Sequence, residues 1–290
     1  MKSKTALPFL GIFIFVLSGP LGCSHGGMKV KEVRVRQPVL LQINGNKGQV
    51  ELTRYRYLST KATTDERKIR VKRDESVDFV TKSEVIDSLK DNQVRVRVQT
   101  TQKEGGVELN DLSFPELNES IDFIFTPSAK VLKAGGYSRE SIFFVQPIPL
   151  PEGPVSKGDT WTLEHTWLSR HNSLPLKIEL VSILSRFVEC GENDRCADIE
   201  ISGRVVLPPG MIKGSLQSQV FGRLLFAEKK GMIVWSDIRT EERLKTEDEK
   251  IEIDSCLESL VEEPKSYRWA FKEKADCDPK VEFTGRIPGD

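Results

Sequence analysis

Three histidines and five cysteines are all that this 290-residue chain offers to thiol or soft-metal chemistry. It has no net charge either, with 43 Lys and Arg against 43 Asp and Glu. Without a basic excess it lacks the global electrostatic footprint of a nucleic-acid binder. After the first 22 residues no apolar run approaches the roughly eighteen residues of a membrane-spanning helix. There is no G-x-S-x-G elbow, because Gly136-Tyr137-Ser138-Arg139-Glu140 lacks the second Gly. Gly105-Gly106 and Gly135-Gly136 read as turns, not as a phosphate-cradling loop. The chain does have 14 Phe, 4 Trp and 4 Tyr, so it can bury a core despite 30% charged residues, and wholesale disorder is excluded.

Residues 1–22 read as an export address. Lys2 and Lys4 precede the apolar run Leu7 to Leu17. That run reaches about 16 Å as a helix, roughly half a bilayer's hydrocarbon core. It is too short to span but suits the apolar region of a secretory signal. Ser18-Gly19-Pro20-Leu21-Gly22-Cys23 resembles the cleavage box of bacterial lipoproteins, in which the Cys becomes the acylated, palmitate-bearing first residue. Pro20 stands where that class has an aliphatic residue. The alternative is a plain signal peptide cut elsewhere, with Cys23 incidental. Ser24 and His25 follow with no Asp beside the Cys, which resembles outer-membrane sorting. The resemblance implies a lipid anchor at the outer membrane, facing the periplasm.

Assigning Cys23 to a lipid leaves Cys190, Cys196, Cys256 and Cys277, an even number for an oxidising compartment. Cys190 and Cys196 bracket the turn-like stretch Gly191-Glu192-Asn193-Asp194-Arg195, which predicts a clasped hairpin tip. By remainder Cys256 pairs with Cys277 and ties down the tail. Loops of these lengths predict roughly 2 to 3.5 kcal/mol each from chain entropy. Zinc sites prefer tight Cys or His pairs, and Cys256 and Cys277 have no such neighbour, so neither a metal nor another cofactor is expected.

Period-two alternation dominates the remainder. Val33-Arg34-Val35-Arg36, Val94-Arg95-Val96-Arg97-Val98, Ile199-Glu200-Ile201 and Ile251-Glu252-Ile253-Asp254 all predict strands with one buried and one wet face. Residues 80–90 and 255–263 read as short helices. Ile142-Phe143-Phe144-Val145 is continuously apolar and reads as a strand covered on both faces. Residues 147–154, PIPLPEGP, hold four of the fifteen prolines and mark a join. The organisation predicted is a signal peptide (1–22), an anchor and lead-in strand (23–46), a first β-rich half (47–146), a linker (147–157), a second half (158–270) and a tail (271–290).

The fold class expected is mainly β: two similar antiparallel halves with curved sheets, half-barrel or sandwich-like, and few short helices. The similarity rests on the stretch from Gly48 to Ser59, which lines up with Gly158 to Ser169. Gly, Leu and Ser match at Gly48/Gly158, Leu58/Leu168 and Ser59/Ser169, and Tyr57 meets Trp167. One face of the second copy carries Trp161, Leu163, His165 and Trp167, and the matching face of the first carries Thr53, Tyr55 and Tyr57. Convergent strand patterning is the alternative to duplication. Pro151-Glu-Gly-Pro154-Val155-Ser-Lys-Gly158-Asp159-Thr-Trp161 resembles a P-x-x-P-V-x-x-G-D-x-W stretch of uncharacterised β-rich bacterial secreted proteins and lipoproteins. That resemblance implies an envelope protein with curved antiparallel sheets, and it brings no catalytic residues.

No catalytic constellation emerges. On one strand His165 and His171 are roughly 20 Å apart, too far for a shared metal. Charge is unevenly placed, +9 over residues 29–73 and −7 over residues 241–263. Arg34, Arg36, Arg54 and Arg56 alternate with apolar or aromatic residues and are candidates for contact with an anionic membrane surface. The alternative pairs the basic amino-terminal strands with the acidic carboxy-terminal ones. Taken together, the sequence predicts a lipid-anchored envelope protein, not an enzyme, with a binding or structural role. Its partners would be the membrane and another envelope protein or lipid, not nucleic acid. An alternative is a periplasmic lipid or lipoprotein carrier with an apolar half-barrel cavity, and an envelope hydrolase is a third reading.

Overall fold

The computed structural model describes residues 31–265 apart from 171, 172, 192, 209, 211–213 and 248. The signal region, Cys23, His25, His171 and Cys277 lie outside the described residues. Eleven antiparallel strands form one curved sheet, mainly β as the alternation implies. In chain order these are β1 (Val50–Asp65), β2 (Arg70–Ser88), β3 (Val94–Gly105), β4 (Ser120–Phe125), β5 (Val131–Ala134), β6 (Thr160–Leu168), β7 (Pro175–Cys190), β8 (Asp194–Val206), β9 (Gly214–Ala227), β10 (Met232–Thr246) and β11 (Glu249–Glu263).

The spatial order is β5-β4-β3-β2-β1-β11-β10-β9-β8-β7-β6. Each half is a meander, and the first strand joins the last in the middle of the sheet, with Tyr55 opposite Ser259 and Arg56 opposite Glu258. The edges β5 and β6 do not pair with each other, so the sheet stays open. The loops that follow β3 and β5 nevertheless reach the far end of β6. The Leu168 amide donates to the Glu140 carbonyl at 2.7 Å, and Arg170 reaches Asp111 at 3.0 Å. Gly48 and Gly158, which the internal alignment pairs, both have positive φ (+82° and +91°) two residues ahead of a strand.

Several local expectations are corrected. Residues 80–90 lie mostly in β2 and 255–263 in β11, not in helices. Against β3 the register shifts at Val85/Asp87, where Ile86 is an extra residue in β2, so the period-two pattern slips there and the segment mimics a helical spacing. Ile142–Phe144 is a short 3-10 turn, not a strand. Its apolar run is buried because Phe143 and Phe144 plug the space beside Val94, Ile121, Phe123 and Val131. Residues 33–36 keep the alternating exposure but form no strand, and only Glu32 bridges to Val188.

The connection from β5 to β6 must travel from one sheet edge to the other, and it does so across the concave face. Ile148, Leu150 and Val155 from this strap, with Val39 and Leu41 from the lead-in segment, pack on Leu184, Ile199 and Leu224. Val39 and Val155 exchange two backbone hydrogen bonds, each 2.8 Å, and the Trp161 indole donates to the Pro149 carbonyl. Proline suits this path, because it cannot be recruited as an extra strand by either edge.

Candidate functional site

Between the strap and the middle of the sheet lies a cavity of about 270 Å³. Its floor is the concave face of β1, β2, β3, β10 and β11, and its roof includes Phe143, Val145, Pro147 and Ile148. Alternation explains the lining. On β1 the inward residues are Glu51, Thr53 and Tyr55, while Arg54 and Arg56, which alternate with them, are exposed. On β2 they are Thr81, Ser83 and Val85. The walls are mainly apolar: Val96, Val98, Phe123, Phe125, Ile238 and Leu257 among them. Tyr55 stacks on Phe79 with ring centroids 4.8 Å apart, and Phe114 closes on both rings.

Polar groups on the floor largely satisfy one another. The Ser236 and Ser259 hydroxyls are 2.6 Å apart, and farther along the same face those of Thr240 and Ser255 are also 2.6 Å apart. Burial pushes the Tyr55 phenol up to about 12, with Thr81 and Thr53 as its hydrogen-bond partners. Among the lining residues Glu51 is the single Asp, Glu, Lys, Arg or His. Its carboxylate accepts from Gln49 Nε2 at 3.0 Å. Loss of water around it pushes the carboxyl up from 4.5 to about 7, against the Gln49 bond and the distant charge of Lys230.

One end of the cavity is closed by the lead-in segment. Asn44 lies so close to Gly231, in the β9–β10 turn, that a β-carbon there would meet Asn44 Oδ1 at 2.2 Å. Gly231 also has φ +63°, which favours glycine. Gly45 is wedged against Val85 in the same way.

Cys190 and Cys196 form a disulfide with Cα atoms 5.7 Å apart, closing the β7–β8 hairpin. Cys256 is also disulfide-bonded, and Cys277, its expected partner, lies outside the described residues. Arg34 and Arg36 are exposed on the lead-in segment. Arg54 pairs with Glu262 at 2.5 Å, Arg56 with Asp78 at 2.9 Å, and Arg70 with Glu252 at 3.1 Å. The β1–β11 junction thus sets basic amino-terminal strands against the acidic carboxy-terminal strand. His165 is half-buried on the face that carries Trp161 and Trp167, its Nε2 has no hydrogen-bond partner, and burial lowers its pKa. Among the described residues no three His, Cys, Asp or Glu gather as metal ligands.

Sequence reasoning passed over Glu51. The signal was available: the acid falls on the same alternating face as Thr53, Tyr55 and Tyr57, where a charge has no reason to sit unless that face is wet or functional.

Fold and site define an open, strapped antiparallel half-barrel with an apolar cavity and one carboxyl inside it. No family model matches the chain, and no curated protein does. Among solved structures it is similar to an outer membrane channel from Pseudomonas putida F1, with 12% identity, 78% of this chain and 100% of that chain covered, and a TM-score of 0.23. So low a TM-score gives the likeness no weight for fold or function.

Proposed function

We propose that this is a bacterial envelope protein, anchored by lipid on Cys23 at the outer membrane, that carries an acyl chain in its curved sheet without catalysing a reaction. The cavity is the observation that supports it. At about 30 Å³ for a water-sized group, 270 Å³ accommodates an acyl segment of roughly nine or ten carbons. The lining is concave, mainly apolar and supplied with few polar groups, as ligand sites usually are. The anchor would hold the carrier at a membrane, since more than one acyl chain gives lasting attachment.

Organic extraction of the purified protein, followed by mass spectrometry, tests the reading. An acyl species approaching one per chain is expected. A clean blank from protein prepared without detergent refutes it and leaves a structural adaptor as the role. A mass measurement of the mature amino terminus tests cleavage and acylation at Cys23 together.

A further inference from the structure

We infer that the cavity selects the head group of its ligand through Glu51, and that it takes single-chain amphiphiles whose head donates hydrogen bonds and carries no negative charge. This deepens the acyl-carrier reading and rests on it. The geometry is specific. Every other lining side chain is apolar or neutral, so a ligand entering this space meets one carboxyl group and no cation among the lining residues. One carboxylate oxygen is engaged by Gln49, and among the described residues no other hydrogen bond reaches this side chain. Glu51 is half-buried and lines the cavity.

The groups that face Glu51 are few. Ser83 lies opposite it on β2, Gln49 precedes it, and Tyr55 follows on the same strand. Asn44 and Gly45 come from the lead-in segment. Lys230, exposed on the β9–β10 turn, acts on it through space without an ion pair among the described residues. A carboxylate left with one neutral donor in an apolar space is under-solvated. A ligand ammonium or hydroxyl supplies the missing donor, and the bond to an ammonium is charge-assisted. A ligand carboxylate or phosphate instead sets two negative charges together in a mainly apolar space that screens them poorly. The raised pKa of Glu51 agrees, because it reports the same shortage of solvation.

The experiment uses purified, delipidated full-length mature protein loaded with the fluorescent probe N-phenyl-1-naphthylamine. Dodecylamine, 1-dodecanol and dodecanoate are titrated in as competitors. At about pH 8.5, where Glu51 is ionised, dodecylamine should displace the probe at least tenfold more tightly than dodecanoate, with dodecanol between them. In Glu51→Gln that ratio should fall below about threefold. If Glu51→Gln does not fold, the wild type decides. At about pH 5.5 the protonated acid should leave dodecylamine within about threefold of dodecanol, whose own charge does not change.

Equal displacement by amine and carboxylate at the higher pH overturns the head-group inference alone, as does a ratio that Glu51→Gln leaves unchanged. Failure of the probe and of all three chains to bind overturns the acyl-carrier reading, and this inference with it.

Discussion

Glu51 should make the ligand-free protein less stable at neutral and alkaline pH than it would otherwise be, and Glu51→Gln should relieve that cost. The folded protein holds the Glu51 proton more tightly than the unfolded chain does, with a pKa of about 7 against 4.5. The native state therefore binds more protons between those values, and stability falls as pH rises through that window. Below about pH 4.5 both states are protonated and the cost is absent, and above about pH 7 it is complete. At 1.36 kcal/mol per tenfold change in proton affinity the full difference is about 3 kcal/mol. Water entering the open cavity screens part of it, which leaves about 1–2 kcal/mol. The assay is urea unfolding of wild type and Glu51→Gln at about pH 4.5 and pH 8, with the difference between the two differences isolating this one group. With a slope of about 3 kcal/mol/M, the variant's midpoint should gain roughly 0.3–0.7 M more at the higher pH than at the lower. An equal gain at both pH values, or a loss at pH 8, refutes the burial argument.

Other perturbations probe the frame around the cavity. Asp198 is 0% exposed and accepts from Arg223 at 2.6 Å and from Arg186 at 3.0 Å, so Asp198→Ala should cost about 3–5 kcal/mol in urea unfolding. Replacing Asp198 and Arg223 together by Leu should recover most of that loss. Reduction of the Cys190–Cys196 bond, or its replacement by two Ser, should cost about 2 kcal/mol, read as a lowered melting temperature, since the loop it closes is short. Gly231→Ala must push Asn44 away from the turn, so it should open the lead-in end of the cavity and weaken probe binding as well as stability. Wild-type probe affinity in that variant would refute the role given to this contact.

The strands were legible because one face of each is wet. Arg95 and Arg97 alternate with Val94, Val96 and Val98, and β3 runs through them as expected. What alternation could not reveal was where a strand sits. The pairing of β1 with β11 joins residues about two hundred positions apart, and no local pattern records it. Charge did carry a trace of it: the basic excess early and the acidic excess late meet as Arg54–Glu262 and Arg70–Glu252. The helix expected over residues 80–90 has a related cause. A bulge inserts one residue into the period, and a chain read without its partners cannot distinguish that slip from a change of secondary structure. Ile142-Phe143-Phe144-Val145 was misread because burial on all sides looks the same in sequence whether a sheet or a strap supplies the cover.

The cavity follows from topology more than from any one residue. A meander whose first and last strands pair in the centre has its two remaining edges, β5 and β6, at opposite extremes. The chain must pass between them, and in a curved sheet the short path lies over the concave face. Residues 145–155 take it, and the lead-in segment runs alongside, bonded to it at Val39 and Val155. Over β7–β9 this pair of segments fills the hollow with Ile148, Leu150, Val155 and Leu41. Over β1–β3 the same segments present Val145 and Pro147 above Thr53, Thr81 and Ser83, side chains too short to reach the roof. A core that had only to be stable would carry larger apolar residues at those floor positions. Short polar side chains beneath an apolar roof leave room instead, and of the two long side chains at that end, Gln49 and Glu51, one is an acid.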